Sequence, residues 1–287
     1  MKIRDILEQK KRTISFEFFP PKTPEAEKTL LETISLLKPL CPSFVSVTYG
    51  AMGTTQDKTI DLTIRIKKEY QIETMAHLTC VSATREKIKD IVSKLGKNNI
   101  ENILALRGDI PPGERVEKRE FFYAAELVKY IRSVRDEFSI GVAGYHEGHP
   151  ECKDKKKNIE YLKRKTDQGA DFVITQLFFI NDHFFRFVDE ARRVGIKVPI
   201  IPGIMPVTNF KQLSIFAGQC GAEVPLEMER FLIDHQDNPD AIREFGIEYA
   251  TKQCRDLLKG GCERFHFYTL NRSTSTLKIC QNLGLSG

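Results

Sequence analysis

Short runs of β-branched and aromatic residues recur along this chain about every thirty residues, and each is followed by a charged segment with helical apolar period. Repeated strand–helix units of this kind build a parallel sheet. Eight runs can be read: Thr13–Pro20, Phe44–Gly50, Thr74–Cys80, Asn102–Asp109, Ser139–Tyr145, Phe172–Phe179, Val198–Ile204 and Arg264–Leu270. Eight strands close a (β/α)8 barrel, and 287 residues hold one barrel of about 250 residues with little left over. The predicted fold class is therefore α/β, a TIM barrel in a single domain over residues 1–287.

The intervening segments read as helices. Thr23–Leu37 opens with Thr-Pro and Glu25 and carries Leu30, Leu31, Ile34 and Leu37 on one stripe. The segment from Asn238 has an N-cap Asn, Pro239 at its first helical position and a stop at Gly260–Gly261. The interval between strands seven and eight is about sixty residues, twice the repeat, so extra helices are expected there. No low-complexity linker interrupts the chain.

Composition excludes several classes. Apolar residues make up 41% and charged residues 29%, enough for a core and unlike a disordered chain. No apolar run approaches the roughly 18 residues a membrane span needs. The start mixes Asp5 and Glu8 with Lys2, Arg4, Lys10 and Lys11, which fits neither a secretory signal nor a transit peptide. A cytoplasmic protein with no membrane partner is expected. A net charge of +5 is too mild to argue for nucleic acid, and the basic stretch Lys153–Lys157 reads as a solvated helix face or an anion contact. Cys41, Cys80, Cys152, Cys220, Cys254, Cys262 and Cys280 form no CxxC pair, which suggests reduced thiols and no zinc site.

In such barrels the active site lies at the C-terminal ends of the strands. Period-2 alternation puts Ser15 and Glu17 on one face of strand one, Ser46 and Thr48 on one face of strand two, and His77 and Thr79 on one face of strand three. Strand four ends in Arg107-Gly108-Asp109, and strand six carries Gln176 in an apolar run. Glu17 stands between Phe16 and Phe18, neighbours expected to desolvate its carboxyl and raise its pKa, as a general acid requires. Plainer readings remain: Glu17 as an ion-pair partner of a barrel Arg or Lys, Asp109 as a turn residue, Gln176 and His77 as satisfied core groups. The segment Gly144–Glu151 holds His146, Glu147 and His149, but only one residue separates Glu147 from His149, where the zinc-protease motif has two. No metal is expected. Neither GxGxxG after the first strand nor a phosphate-loop motif is present.

The residues that carry this reading also resemble a known family. FEFFPPK at 16–22, SVTYGA at 46–51, HLTC at 77–80, ALRGDIPPG at 105–113, GYHEGHPE at 144–151, LKRKTDQGADFVITQLFF at 162–179, IIPGIMPVTNF at 200–210 and FHFYTLNR at 265–272 are similar, in order, to the methylenetetrahydrofolate reductases, in their short bacterial form. The resemblance implies a single catalytic barrel without a regulatory domain, FAD as cofactor, NADH or NADPH as electron donor, and methylenetetrahydrofolate as substrate. It implies a ping-pong reduction to 5-methyltetrahydrofolate, in which a proton must reach N10 of the folate to open its five-membered ring.

Matched residue by residue, the resemblance makes Glu17 the proton donor and Asp109 the aspartate beside flavin and pterin. Gln176 would serve folate and nicotinamide in turn, Thr48 would meet nicotinamide, and Gln212, Phe216 and Arg272 would lie on the substrate side. Tyr49, Ala51, His77, Arg107, Gly108, Tyr123, Ala124, Tyr145, His149, Arg164 and Lys165 would contact the flavin, with Arg107, His149, Arg164 and Lys165 as positive groups for its diphosphate. Asn158 and Tyr161 depart from the family's pattern at the expected adenosine end. A homo-oligomer is the expected assembly. The alternatives are another flavin-dependent barrel dehydrogenase acting on a small amine or imino acid, a flavoprotein that relays electrons to a partner, and a non-catalytic scaffold.

Overall fold

In the computed structural model, which describes residues 1–49, 56–109, 119–152 and 154–285, eight parallel strands close in sequence order. They are β1 (Thr13–Phe18), β2 (Phe44–Val47), β3 (Thr74–Thr79), β4 (Asn102–Leu106), β5 (Ser139–Gly144), β6 (Phe172–Leu177), β7 (Ile200–Ile204) and β8 (Arg264–Tyr268). β8 returns to β1 with Ser15 opposite His266 and Glu17 opposite Tyr268, which shuts the TIM barrel. All eight expected strands are present, but most were drawn too long at their C-terminal ends. Thr48, Arg107, Asp109 and Tyr145 lie beyond the ladder, on loops that turn over the rim. There the backbone leaves the regular pairing: the Cys80 N–H, for example, reaches both Leu106 O and Arg107 O. Apolar composition continues past the last ladder bond, so it could not mark that point.

Alternation divides the strands between two cores. Phe16, Phe18, Val45 and Val47 face outward against Leu30, Ile34 and Leu37 of α2 (Pro24–Leu37). That helix starts as expected, with the Thr23 hydroxyl accepting from the Ala26 N–H, although Leu31 is only half-buried. Phe44, Met75, Leu104, Phe172 and Ile201 face inward and meet Ile3 and Leu7 of α1 (Ile3–Gln9), which stoppers the N-terminal end. Asn102 ties that stopper down: its side chain accepts from the Ile3 N–H at 2.7 Å and donates to Thr74 O at 3.2 Å. Gly141 leaves room for the Phe172 ring, which would lie 2.4 Å from a Cβ placed there.

The remaining βα units supply α3 (Gln56–Tyr70), α4 (Arg85–Lys97), α5 (Ala124–Val134), α6 (Lys155–Asp167) and α7 (Asn181–Arg193). The expected insertion between β7 and β8 consists of α8 (Phe210–Cys220), α9 (Leu226–Asp234) and α10 (Pro239–Lys259), with α11 (Thr274–Asn282) after β8. Met228, Leu232 and Ile242 of this insertion pack with Phe179, Met205 and Leu213 into a second core beside the barrel mouth. The Asn238 side chain caps α10 by accepting from the Ala241 N–H. All seven cysteines are free, and no helix among the described residues is long and apolar enough to cross a membrane.

Candidate active site

The C-terminal ends of the strands surround a cavity of about 1160 Å³. Glu17 and His77 lie toward its strand side, both nearly inaccessible to solvent. The aromatic neighbours expected to desolvate Glu17 do not touch its carboxylate, because alternation turns Phe16 and Phe18 to the opposite face of β1. Two histidines surround it instead: Glu17 Oε2 lies 3.5 Å from His77 Nε2 and 3.5 Å from His266 Nε2. Burial pushes the His77 imidazole down to about 4, against the opposing pull of Glu17, so it is neutral at pH 7.

The orientation of His266 follows from its other contacts. The Ser15 hydroxyl donates its one proton to Phe265 O at 3.1 Å, so at 2.8 Å it accepts from His266 Nδ1–H. In the tautomer with its hydrogen on Nδ1, Nε2 is an acceptor, facing the Ser46 hydroxyl at 3.4 Å and Glu17. A protonated Glu17 carboxyl can therefore share its proton with His266 Nε2. His266 was not singled out from the sequence, although the alternation in FHFYTL places it and Tyr268 on the same inward face as Ser15 and Glu17.

Gln176 reaches the cavity through a break in strand pairing. Ile174 pairs with Ile201 and Leu177 with Gly203, so β6 spends an extra residue where β7 spends none. Such bulges re-aim side chains at barrel rims. The freed groups are satisfied: Tyr268 Oη donates to Thr175 O at 2.7 Å, and Thr175 Oγ1 accepts from the Gly203 N–H at 3.0 Å. Gln176 also hydrogen-bonds the Tyr145 phenol, whose pKa is pushed up to about 12, chiefly by burial and secondly by Asp109.

The loops supply the rest of the wall. Thr48, Tyr49, Gly108 and Asp109 line the cavity on one side; Tyr123 and Ala124, at the start of α5, Tyr145 and Phe216 also face it. Ala51 lies outside the described residues, as does Lys153. Gln212 and Arg272 do not line the cavity: Gln212 is half-buried in the first turn of α8, and Arg272 is an exposed residue after β8. Two of the expected positive groups have contacts of their own. Arg107 is already clasped by Glu151 through a two-pronged pair, Nη1 to Oε2 at 2.5 Å and Nη2 to Oε1 at 2.8 Å. His149 is held below its ordinary pKa, first by burial and then by the Arg107 cation, and is neutral at pH 7. Its ring lies 4.7 Å from Tyr145, and its Nδ1 accepts from the Glu151 N–H.

The other two expected cations lie on the α6 wall. Lys165 donates to Ala143 O, with its pKa lowered by burial to about 8. Arg164 lies 5.6 Å over the exposed Tyr161 ring. Neither makes an ion pair with a described carboxylate. Asn158 serves the loop itself, accepting from the His149 N–H and donating to Cys152 O.

Comparison with known proteins decides the lineage. The pattern of the methylenetetrahydrofolate reductase family matches residues 2–284. The chain belongs to the methylenetetrahydrofolate reductase family. It is 41% identical over 298 residues to "Methylenetetrahydrofolate reductase (NADH) 1" of Arabidopsis thaliana, covering 99% of this chain and 50% of that protein. It is 42% identical over 272 residues to the 5,10-methylenetetrahydrofolate reductase of Escherichia coli, covering 95% and 90%. The chain thus spans about half the length of its plant methylenetetrahydrofolate reductase relatives. An uncharacterized protein from Clostridium thermocellum that binds two copies of 5-methyl-5,6,7,8-tetrahydrofolic acid shares the fold, at a TM-score of 0.68 and 15% identity over 100% of this chain and 98% of that one.

Proposed function

We propose that this chain catalyses the FAD-dependent reduction of 5,10-methylenetetrahydrofolate to 5-methyltetrahydrofolate by NADH or NADPH, the two substrates taking turns at one barrel mouth. Family membership supports the reaction class. The observation that carries the mechanism is the Glu17 carboxylate, held between His77 and His266 beside the one wide cavity described above.

The donor set fits a flavin dinucleotide. Arg164 and Lys165 are cations uncommitted to carboxylates, suited to a diphosphate, and Arg107 Nε is buried with no hydrogen-bond partner. Gly108 has φ +81°, and a Cβ there would come within 2.9 Å of Thr79 Cβ, so that only glycine lets this loop lie so close to the strand. A bound flavin supplies the two-electron relay between nicotinamide and folate. Everything else falls to the chain. Arg164 and Lys165 would hold the diphosphate, and Tyr145 and His149 line the same cavity. Gln176, re-aimed by the β6 bulge, offers an amide to whichever substrate occupies the mouth. Glu17, protonated, delivers its proton to N10 of the folate, which opens the five-membered ring and leaves an electrophilic carbon at N5; His266 Nε2 accepts a hydrogen bond from that acid until transfer.

Purified protein should be yellow, lose its visible band on anaerobic addition of NADH, and regain it when methylenetetrahydrofolate is added. Regain with a small imino acid but not with the folate would move the chain to the alternative dehydrogenase class.

A further inference from the structure

Outside the cavity, three side chains from separate parts of the chain converge. Glu147 comes from the β5–α6 loop, His183 from the first turn of α7, and Glu223 from the loop between α8 and α9. One ring nitrogen of His183 and one oxygen from each carboxylate lie within 4.8 Å of one another. Glu147 Oε2 is 3.2 Å from His183 Nδ1, and Glu223 Oε2 is 3.5 Å from His183 Nε2. Ligands bound tetrahedrally to zinc at about 2.0–2.1 Å stand roughly 3.3 Å apart, so the nearer pair is already spaced for one ion. Glu223 is 62% exposed and can rotate to bring its oxygen to the same nitrogen's ion.

A second observation points the same way. His146 is 2% exposed, and neither of its ring nitrogens has a hydrogen-bond partner. Its ring packs edge-on against Phe178 and Phe187, and its Nε2 faces Glu147 Oε1 at 3.8 Å. Glu147 Oε1 is likewise buried without a partner. Buried polar groups are seldom left unpaired, and a cation explains the Glu147–His146 pair: Oε2, which accepts from the Glu223 N–H at 2.7 Å, also binds the ion, while Oε1 takes a hydrogen bond from His146 Nε2, the outer partner that ligating carboxylates commonly have.

We propose that Glu147, His183 and Glu223 form a binding site for one divalent zinc-class ion, with His146 orienting Glu147. One imidazole and two carboxylates suit zinc, leave a coordination place for water, and bring a formal charge of −2 that the ion neutralises. Lys155, which lines the same small cavity, is exposed and free to swing away. The proposal departs from the expectation of no metal: the zinc-protease motif was weighed only against His149, whereas Glu147 lies beside His183, far along the chain. The ion would bind the loop that carries Tyr145 and His149 to α7 and to the insertion.

The test is calorimetric titration of chelator-treated protein comprising residues 1–287 with zinc chloride, with magnesium as the control ion, alongside thermal melts. Wild-type protein should bind one zinc and melt at higher temperature with it, and magnesium should do neither. Glu223→Gln, on an exposed loop that does not threaten folding, and His183→Asn should each weaken zinc binding about 100-fold or more, and His146→Phe about 10–100-fold. Absence of stoichiometric zinc binding overturns the site. So does zinc binding at full strength in Glu223→Gln and His183→Asn, which would assign the ion to other groups such as the free cysteines.

Discussion

The two ends of the barrel use the same alternation to opposite ends. At the N-terminal end the inward positions are Phe44, Met75, Phe172 and Ile201, closed by Ile3 and Leu7, and the one amide there, Asn102, is hydrogen-bonded through both its oxygen and its nitrogen. At the C-terminal end they are Glu17, His77, His266 and Tyr268, and bonding is incomplete: His77 Nε2 has no hydrogen-bond partner, and Glu17 meets both histidines only at 3.5 Å. One end is filled and chiefly apolar, although Arg264 Nε is buried there without a hydrogen-bond partner; the other is polar and under-bonded. Stability should therefore be concentrated in the first, and reactivity in the second.

The largest effect should come from emptying the apolar end. Phe172→Ala removes a fully buried ring packed against Phe44 and should cost about 4 kcal/mol in urea unfolding, while turnover per folded molecule stays near normal. Loss of turnover greater than loss of folded protein would mean that the two ends are not separable.

A smaller effect comes from the mouth, through pH. His77 titrates near 4 in the fold against an ordinary 6.5, so between these values the unfolded chain takes up a proton that the folded chain refuses. Its contribution is therefore whole above pH 6.5 and lost as pH falls toward 4, amounting to about 2 kcal/mol at pH 5. Unfolding measured at pH 7.5 and pH 5 should show that loss, and His77→Gln should flatten it. Equal slopes in both proteins would place the acid sensitivity elsewhere.

The smallest concerns Gln176. Gln176→Leu should slow reduction by NADH and weaken folate binding together, each by roughly tenfold, the value of one hydrogen bond of about 1.4 kcal/mol. Loss of only one would give the two substrates separate anchors at the mouth.

Much of this contrast was legible in the sequence. The repeat of apolar runs announced all eight strands, and alternation put Ser15, Glu17 and His77 on the inner face, because a strand's period does not depend on its partners. Three things were hidden. The bulge that aims Gln176 depends on pairing between β6 and β7, which a single strand does not disclose. The clasp of Arg107 by Glu151, and with it the neutral His149, depends on loops meeting across 44 residues. The surroundings of Glu17 were misjudged because its neighbours in sequence point away from it, while its neighbours in space, His77 and His266, arrive from β3 and from the far closure of the barrel.

The central claim is that Glu17 is the acid of the folate half-reaction, and stopped-flow kinetics of Glu17→Gln test it directly. The substitution keeps shape and hydrogen bonding at the mouth but holds no transferable proton. The account predicts near-normal bleaching of the flavin band by NADH, and folate-dependent recovery slowed by about 100-fold or more. Equal slowing of both phases would make Glu17 a structural support, and unaltered recovery would mean that the proton comes from another group.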